Sequence, residues 1–375
     1  MAAALTNYQN PYGSFVLQRY PARQLEPLQA WCAADTLLLE ECHTRNIAAD
    51  TTLVVNDEHG ALCVALQPAA LWTDSALSAH ALQYNQKLNE RSATPVVWST
   101  ESPGLALQHV AMRIPKQLAY FEYQLSRLAR CLPPGAMLVA AGMDKHLSPQ
   151  VGKILEYYIG ATERRRGQRK ARIFCATRDE RVTDAPADTS GYYCEALQGQ
   201  LQAFSNVFSR DKLDLGSRFL MAYLTALPPV TSAIDLACGN GVLGLTAVKQ
   251  GLTPAVVFCD ESAMAVASAR LNVSHLYSQQ QDNFGFHHGD GLMAYTAEPV
   301  ELILCNPPFH LNQTVDDFAG RHLLQQCAAN LQPGGRLCIV ANRHLDYLPT
   351  LKREFQRVDK AAQNGKFIIW LAHRA

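Results

Sequence analysis

A chain of 375 residues is long enough for two domains at the usual ~150 residues each, and 48% hydrophobic residues can fill two cores, which excludes a disordered chain. Lys+Arg 33 against Asp+Glu 33 leaves no net charge, so a globally basic nucleic-acid coat is excluded, although a local basic patch is not. Met1 to Gly13 lacks the basic-then-apolar pattern of an export signal, and no apolar run reaches the ~18 residues that span a bilayer. A cytoplasmic protein with no membrane partner is expected. The 11 cysteines are odd in number, scattered and never spaced Cys-x-x-Cys, so reduced thiols are expected, with neither a disulfide framework nor a metal site.

Thr52 to Leu66 reads as an apolar strand, a turn at Gly60, and a stretch of small and apolar residues. Ser232 to Val248 repeats that pattern around Gly241. Further along, Lys87-Leu88-Asn89 stands against Arg270-Leu271-Asn272, Ile114-Pro115-Lys116 against Asn306-Pro307-Pro308, and Pro134-Gly135-Ala136-Met137-Leu138 against Pro333-Gly334-Gly335-Arg336-Leu337. The order holds and the spacing lengthens slowly, as insertions in the loops of two related domains would produce. Strands alternate with helical stretches in each half, which predicts two doubly wound α/β domains with parallel sheets. The expected division is a first domain over 1–184, a connecting hairpin or linker over 185–207, and a second domain over 208–375.

Before the linker, Arg164-Arg165-Arg166-Gly167-Gln168-Arg169-Lys170-Ala171-Arg172 is the one strongly basic cluster in a neutral chain, and phosphate contact is expected there.

Ala233-Ile234-Asp235-Leu236-Ala237-Cys238-Gly239-Asn240-Gly241 places an acid at a strand end and then a glycine turn. Gly239 and Gly241 allow positive φ and let the backbone approach a ligand. Such a pattern alone is weak. The next strand, Ala255 to Cys259, ends in Asp260-Glu261, where a carboxylate can accept from ribose hydroxyls. A dinucleotide and the methyl donor S-adenosylmethionine both fit to this point. Asp235 beside the turn repels a pyrophosphate and suits the cationic donor, which favours the second. Cys238 and Asn240 complete the turn, and Asp290 in His288-Gly289-Asp290-Gly291 is placed to accept from an adenine amine.

Glu301-Leu302-Ile303-Leu304-Cys305-Asn306-Pro307-Pro308-Phe309-His310 is the most informative stretch. An apolar strand stops at Asn306, and two prolines fix the backbone so that the Asn306 side-chain oxygen and the Pro307 carbonyl can face one ligand. Two fixed acceptors suit a planar NH2, whose lone pair is delocalised until both hydrogens are held. Holding donor and amine in line can supply roughly 7–11 kcal/mol of the barrier. Phe309 offers a face for a flipped-out base. No general base is required, since the amine turns acidic once methylated; His310 reads as a packing or substrate contact. The polar segment Phe208 to Arg218 is expected to lie across the donor pocket as a lid.

These residues together resemble a known family, the ribosomal RNA guanine-N2 methyltransferases of the RlmG and RsmC type. The resemblance rests on Asp235 to Gly241, Asn306-Pro307-Pro308-Phe309, the Phe208 to Gly216 segment and the duplicated half, and covers nearly the whole chain. Leu17-Gln18-Arg19-Tyr20-Pro21, Pro27-Leu28-Gln29-Ala30-Trp31 and Val340 to Tyr347 are similar to the large-subunit (23S) branch rather than the small-subunit (16S) one. The resemblance implies two tandem duplicated Rossmann-like class I methyltransferase domains and methylation of the exocyclic N2 of one guanine in 23S rRNA, naked or in a precursor particle, with S-adenosyl-L-methionine as donor.

By position, Asp235, Cys238, Gly239, Asn240 and Gly241 would form the donor turn, Asp260 and Glu261 would hold the ribose, Asp290 the adenine, and Asn306, Pro307, Pro308 and Phe309 the guanine. The first half departs from this pattern, with Glu58 at the place of Gly239 and Ile114-Pro115-Lys116 at that of Asn306-Pro307-Pro308. It is expected to be a degenerate copy that grips RNA through Arg164, Arg165, Arg166, Arg169, Lys170 and Arg172. A monomer is expected, because two domains in one chain already mimic a dimer. Adenine N6, protein glutamine and a 16S guanine stay open as acceptors, as does an RNA-binding ribosome assembly factor without turnover.

Overall fold

A computed structural model describes residues 6–22, 28–104, 106–165, 167–308 and 318–375. The chain divides into two compact units, Met1–Asp188 and Thr189–Ala375. Among the described residues no helix is long and apolar enough to cross a membrane.

The first unit opens with an antiparallel hairpin of β1 (Thr6–Asn10) and β2 (Gly13–Leu17). There follow α1 (Ala33–Thr44), β3 (Thr52–Val55), α2 (Ala61–Leu66), β4 (Ala70–Thr73), α3 (Ala76–Leu88), β5 (Val96–Trp98), β6 (His109–Arg113), α4 (Leu118–Cys131), β7 (Met137–Met143), α5 (Val151–Tyr158), β8 (Thr162–Arg164) and β9 (Ala171–Thr177). The strands after the hairpin form one 7-stranded sheet in the order β5-β4-β3-β6-β7-β9-β8. Strands β5 to β7 run parallel, and β9 runs antiparallel to both its neighbours.

The second unit repeats the plan. Its hairpin is β10 (Thr189–Cys194) and β11 (Gly199–Phe204), followed by α6 (Leu215–Tyr223), β12 (Ala233–Leu236), α7 (Val242–Lys249), β13 (Val256–Asp260), α8 (Ala263–Leu276), β14 (Phe284–His288), β15 (Val300–Cys305), α9 (Phe318–Cys327), β16 (Leu331–Asn342), α10 (Leu348–Glu354), β17 (Arg357–Gln363) and β18 (Phe367–His373). The 7-stranded sheet runs β14-β13-β12-β15-β16-β18-β17, the same order step for step. The stretch expected to connect the domains is therefore divided. Residues 189–204 are the second unit's own hairpin, with Phe204 N–H bonded to Ser268 Oγ at 3.0 Å on α8.

Covering both faces explains the apolar strands. All four residues of β3 and all four of β12 are buried, as in sheets sandwiched between helices. Successive residues point to opposite faces, so β12 and β15 feed two cores. Ala233, Leu302 and Leu304 join Leu220, Leu245 and Val273 on one side. Ile234, Leu236 and Ile303 join Leu324 and Leu351 on the other.

Hydrogen bonds sharpen the internal repeat and correct two of its expected pairings. Ser75 caps α3 by accepting from Ser78 N–H, and Ser262 caps α8 by accepting from Ala265 N–H. Counted from those caps, Asn272 matches Asn85 rather than Asn89, which lies one helical turn further on. Asn85 donates to His59 O at 2.8 Å and bonds both backbone groups of Gln18. Asn272 donates to Asn240 O at 2.9 Å and bonds both backbone groups of Gln202. Each asparagine ties its unit's hairpin to the turn after the first sheet strand.

The second correction is one residue long. Strand pairing sets Val55 beside Met112 and Leu236 beside Cys305, so Arg113, not Ile114, corresponds to Asn306, and Ile114-Pro115 corresponds to Pro307-Pro308.

Candidate active site

The site lies where β12, β13, β14 and β15 end. At the end of β12 the chain alternates into left-handed backbone at Ala237 (φ 57), Gly239 (φ 55) and Gly241 (φ 83). A Cβ on Gly239 would meet nothing within 4 Å, so glycine there serves backbone conformation and leaves the turn open to a ligand. Gly241 also has a packing task. A Cβ there would come within 3.1 Å of Phe258 and Ala269, so its absence lets α7 seat against the sheet and α8. The turn is braced by Gly241 N–H to Cys238 O at 2.8 Å and by Cys238 N–H to Cys259 O at 3.1 Å. Asn240 reaches the Tyr192 hydroxyl at 3.4 Å.

Asp235 is fully buried within β12 rather than displayed beside the turn. One oxygen accepts from Gly244 N–H at 2.8 Å, and the other has no partner among the described residues. Burial pushes its carboxyl up to about 8, since the charged form loses its hydration.

Asp260 spans the turn and the second strand. Its oxygens accept from Gly239 N–H at 2.9 Å and Ser262 N–H at 3.0 Å. Glu261 lends its backbone oxygen to His288 Nε2 at 2.9 Å. Asp290 is buried, and both its oxygens lie within 2.9 Å of His322 Nε2 on α9. Gln326, one turn further along α9, lies 3.1 Å from the same nitrogen and accepts from Leu292 N–H at 2.6 Å.

Because Leu236 pairs with Cys305, the turn and Asn306 leave the sheet side by side. Asn306 Nδ2 donates to Asp214 Oδ2 at 3.0 Å and to Ser217 Oγ at 2.9 Å. Its Oδ1 is enclosed and has no partner among the described residues; leaving such an acceptor unmet costs about 1–3 kcal/mol, which a donor NH2 would recover. Pro307 is buried and Pro308 half-buried behind it. Phe309 and His310 lie outside the described residues.

The expected lid is in part a fixed element. Asp214 caps α6 by accepting from Ser217 N–H, and Leu220 and Met221 anchor that helix in the core. Phe208 is exposed.

The basic cluster lies at the β8–β9 tip of the first unit. Arg165 is paired with Glu41 and Glu163, and Arg172 with Asp144. Arg164, Arg169 and Lys170 are exposed and have no partner among the described residues. Arg166 lies outside the described residues.

The family model described as the RLMG N-terminal domain matches residues 5–180, and that of the Methyltransferase small domain matches 198–371. Ribosomal RNA large subunit methyltransferase G of Alcanivorax borkumensis is 40% identical over 98% of this chain and 96% of its own length. The chain belongs to the ribosomal RNA large subunit methyltransferase G family. Its relative of the same name in Ectopseudomonas mendocina is 38% identical over 98% of this chain and 99% of its own. Among solved structures, the T. thermophilus 16S rRNA N2 methyltransferase RsmC, in complex with AdoMet and guanosine, superposes with a TM-score of 0.76 at 19% identity, covering 99% of this chain and 98% of that one. That match shows the tandem methyltransferase-like fold.

Sequence reasoning missed Asp214, Ser217 and His322. The Asp-x-x-Ser spacing before an apolar helix signals an N-cap, but nothing local ties it to Asn306, 92 residues away.

Proposed function

We propose that this methyltransferase transfers the methyl group of S-adenosylmethionine to the exocyclic N2 of one guanine in 23S rRNA, in the cytoplasm and as a monomer. One observation carries the reading: the enclosed Asn306 Oδ1, without a partner among the described residues, stands beside an open glycine turn. The large-subunit relatives supply the class of RNA.

The residues present fit the donor. Asp260 ends the second strand and binds the glycine turn through Gly239 N–H, where a ribose would lie, and Asp290, held by His322 after the next strand, stands where an adenine amine would lie. When bound, the donor supplies an electrophilic methyl group. Asn306 would accept one hydrogen of the guanine NH2 and turn its lone pair outward. Phe309 would stack on the extruded base, a contact worth ~1–3 kcal/mol. The proton leaves to water after transfer, so the chain need hold no base. The first unit would grip the RNA backbone through Arg164, Arg169 and Lys170, with Arg165 and Arg172 already committed to acids.

Incubation with methyl-labelled S-adenosylmethionine and deproteinised, unmodified ribosomal RNA tests the reading. N2-methylguanosine confined to large-subunit RNA is the expected product. Label in 16S RNA, DNA, protein or adenosine would overturn the acceptor, and failure to bind the donor would return the chain to a role in assembly.

A further inference from the structure

We propose that Asp214 and Ser217 are positioning residues that set which end of the Asn306 amide faces the substrate amine. The inference rests on the reading of Asn306 as the amine acceptor and adds what fixes it. An asparagine amide is nearly symmetric in shape, and only its oxygen can receive a hydrogen from an NH2 group. An unrestrained side chain would present the wrong end part of the time.

The cap of α6 removes that freedom. Asp214 Oδ2 already accepts from Ser217 N–H at 2.9 Å and takes an Asn306 amide hydrogen at 3.0 Å. Ser217 Oγ takes the other at 2.9 Å. A carboxylate offers acceptors alone, so a flipped amide would set oxygen against oxygen. With both hydrogens held on the α6 side, Oδ1 is the end that remains for the substrate.

Gly216 keeps the arrangement open. A Cβ there would come within 2.9 Å of Asp214 Oδ2, 3.3 Å of the Phe367 ring and 3.5 Å of Asn306 Oδ1.

The first unit supplies the contrast. Counting from the two helix caps, Cys32, Ala34 and Asp35 stand where Asp214, Gly216 and Ser217 stand. There the strand-end residue is Arg113, ion-paired with Asp35. The same helix start meets the same strand end in both copies. Among the described residues, the second leaves the Asn306 oxygen without a partner.

Asp214→Asn tests this because asparagine still caps a helix yet can offer NH2 to a flipped Asn306 oxygen. Expected is a fall in kcat of about tenfold or more, with donor affinity and unfolding midpoint unchanged. Ser217→Ala should lower kcat likewise, and Ser217→Thr, which restores a hydroxyl, should recover it. In an Asn306→Ala background Asp214→Asn should cost nothing further, since it acts through that amide. The inference is overturned by an unchanged kcat in both Asp214→Asn and Ser217→Ala, or by an Asp214→Asn penalty that persists in the Asn306→Ala background. Should Asp214→Asn fail to fold, the Ser217 pair decides alone. If instead the wild-type product is not N2-methylguanosine, the reading of the acceptor fails, while the clamp is still tested on whichever amine is methylated.

Discussion

Where β12 and β15 leave the second sheet, an open glycine turn lies beside an enclosed asparagine oxygen; where β3 and β6 leave the first, Glu58 occupies the turn and Arg113 pairs with Asp35. The backbone beneath matches at two of the three left-handed positions and differs at the third, where Gly239 has φ 55 and Glu58 is not left-handed. Gly60 and Gly241 have φ of 81 and 83, and Asn56 and Ala237 have φ of 60 and 57. Both turns need a carboxylate on the following helix, but it comes from different places. Asp57 in the loop accepts from Leu62 and Cys63 N–H, whereas Asp235 in the strand accepts from Gly244 N–H. Buried His59, pushed down to about 3 by burial, replaces Asn240 with a neutral ring whose nitrogens have no partner among the described residues. The comparison teaches that positive-φ glycines, helix caps and bridging asparagines hold the architecture. The two units differ in a few side chains at strand ends.

The largest expected effect separates those chemistries. Asn306→Ala should lose at least ~100-fold in turnover, the scale of removing a catalytic hydrogen-bonding group, with donor affinity kept. Arg113→Ala, the matching change in the first unit, should lower stability by leaving Asp35 buried and unpaired, yet turnover per folded molecule should hold. Single-turnover methyl transfer by both variants checks this. A turnover loss in Arg113→Ala as large as that in Asn306→Ala would show that the first unit takes part in the chemistry.

A second effect tests the shared architecture. Asn85→Ala and Asn272→Ala each remove a side chain that ties three backbone groups together. Buried partners left unmet cost about 1–3 kcal/mol each, less whatever water recovers, so a loss of ~2–4 kcal/mol is expected for either variant. Denaturation of the full chain with and without S-adenosylmethionine assigns the transitions, because the donor stabilises only the unit that binds it. Asn272→Ala should weaken the donor-sensitive transition and Asn85→Ala the other. The same transition weakened by both would break the equivalence.

Much of this was legible because it is local. The glycine turn, Asp260 at the next strand end, and Asn306-Pro307-Pro308 after an apolar run are read within short windows, and the parallel part of each sheet follows from alternation with helices, whereas the antiparallel edges β9-β8 and β18-β17 correct the expectation of wholly parallel sheets. The repeat was visible but slipped where helical periodicity is blind to a whole turn, as with Asn89 against Asn85. It slipped by one residue at Arg113, where only strand pairing fixes register. Contacts between distant segments left no local mark. Asp214 with Asn306, His322 with Asp290, and Arg165 with Glu41 are set by the fold, and the last of these removed a residue from the expected basic grip.

That correction leads to the smallest expected effect, which asks whether the first unit has taken RNA contact as its task. Arg169 and Lys170 have φ of 50 and 61 in a tight tip and are exposed, as is Arg164 on β8. If each meets one phosphate, neutralising all three should flatten the dependence of log K on log salt by about 2, at ~0.7 per contact on single-stranded RNA, and weaken binding by about tenfold or more. Donor affinity should not change, since the donor turn belongs to the other unit. Neutralising Arg165 and Arg172 should do less to the salt slope and more to stability, because their charges already answer Glu41, Glu163 and Asp144. RNA titrations at several salt concentrations distinguish the two sets. An unchanged slope for the first set, or a larger change for the second, would leave the β8–β9 tip a solvated turn and move the RNA grip elsewhere.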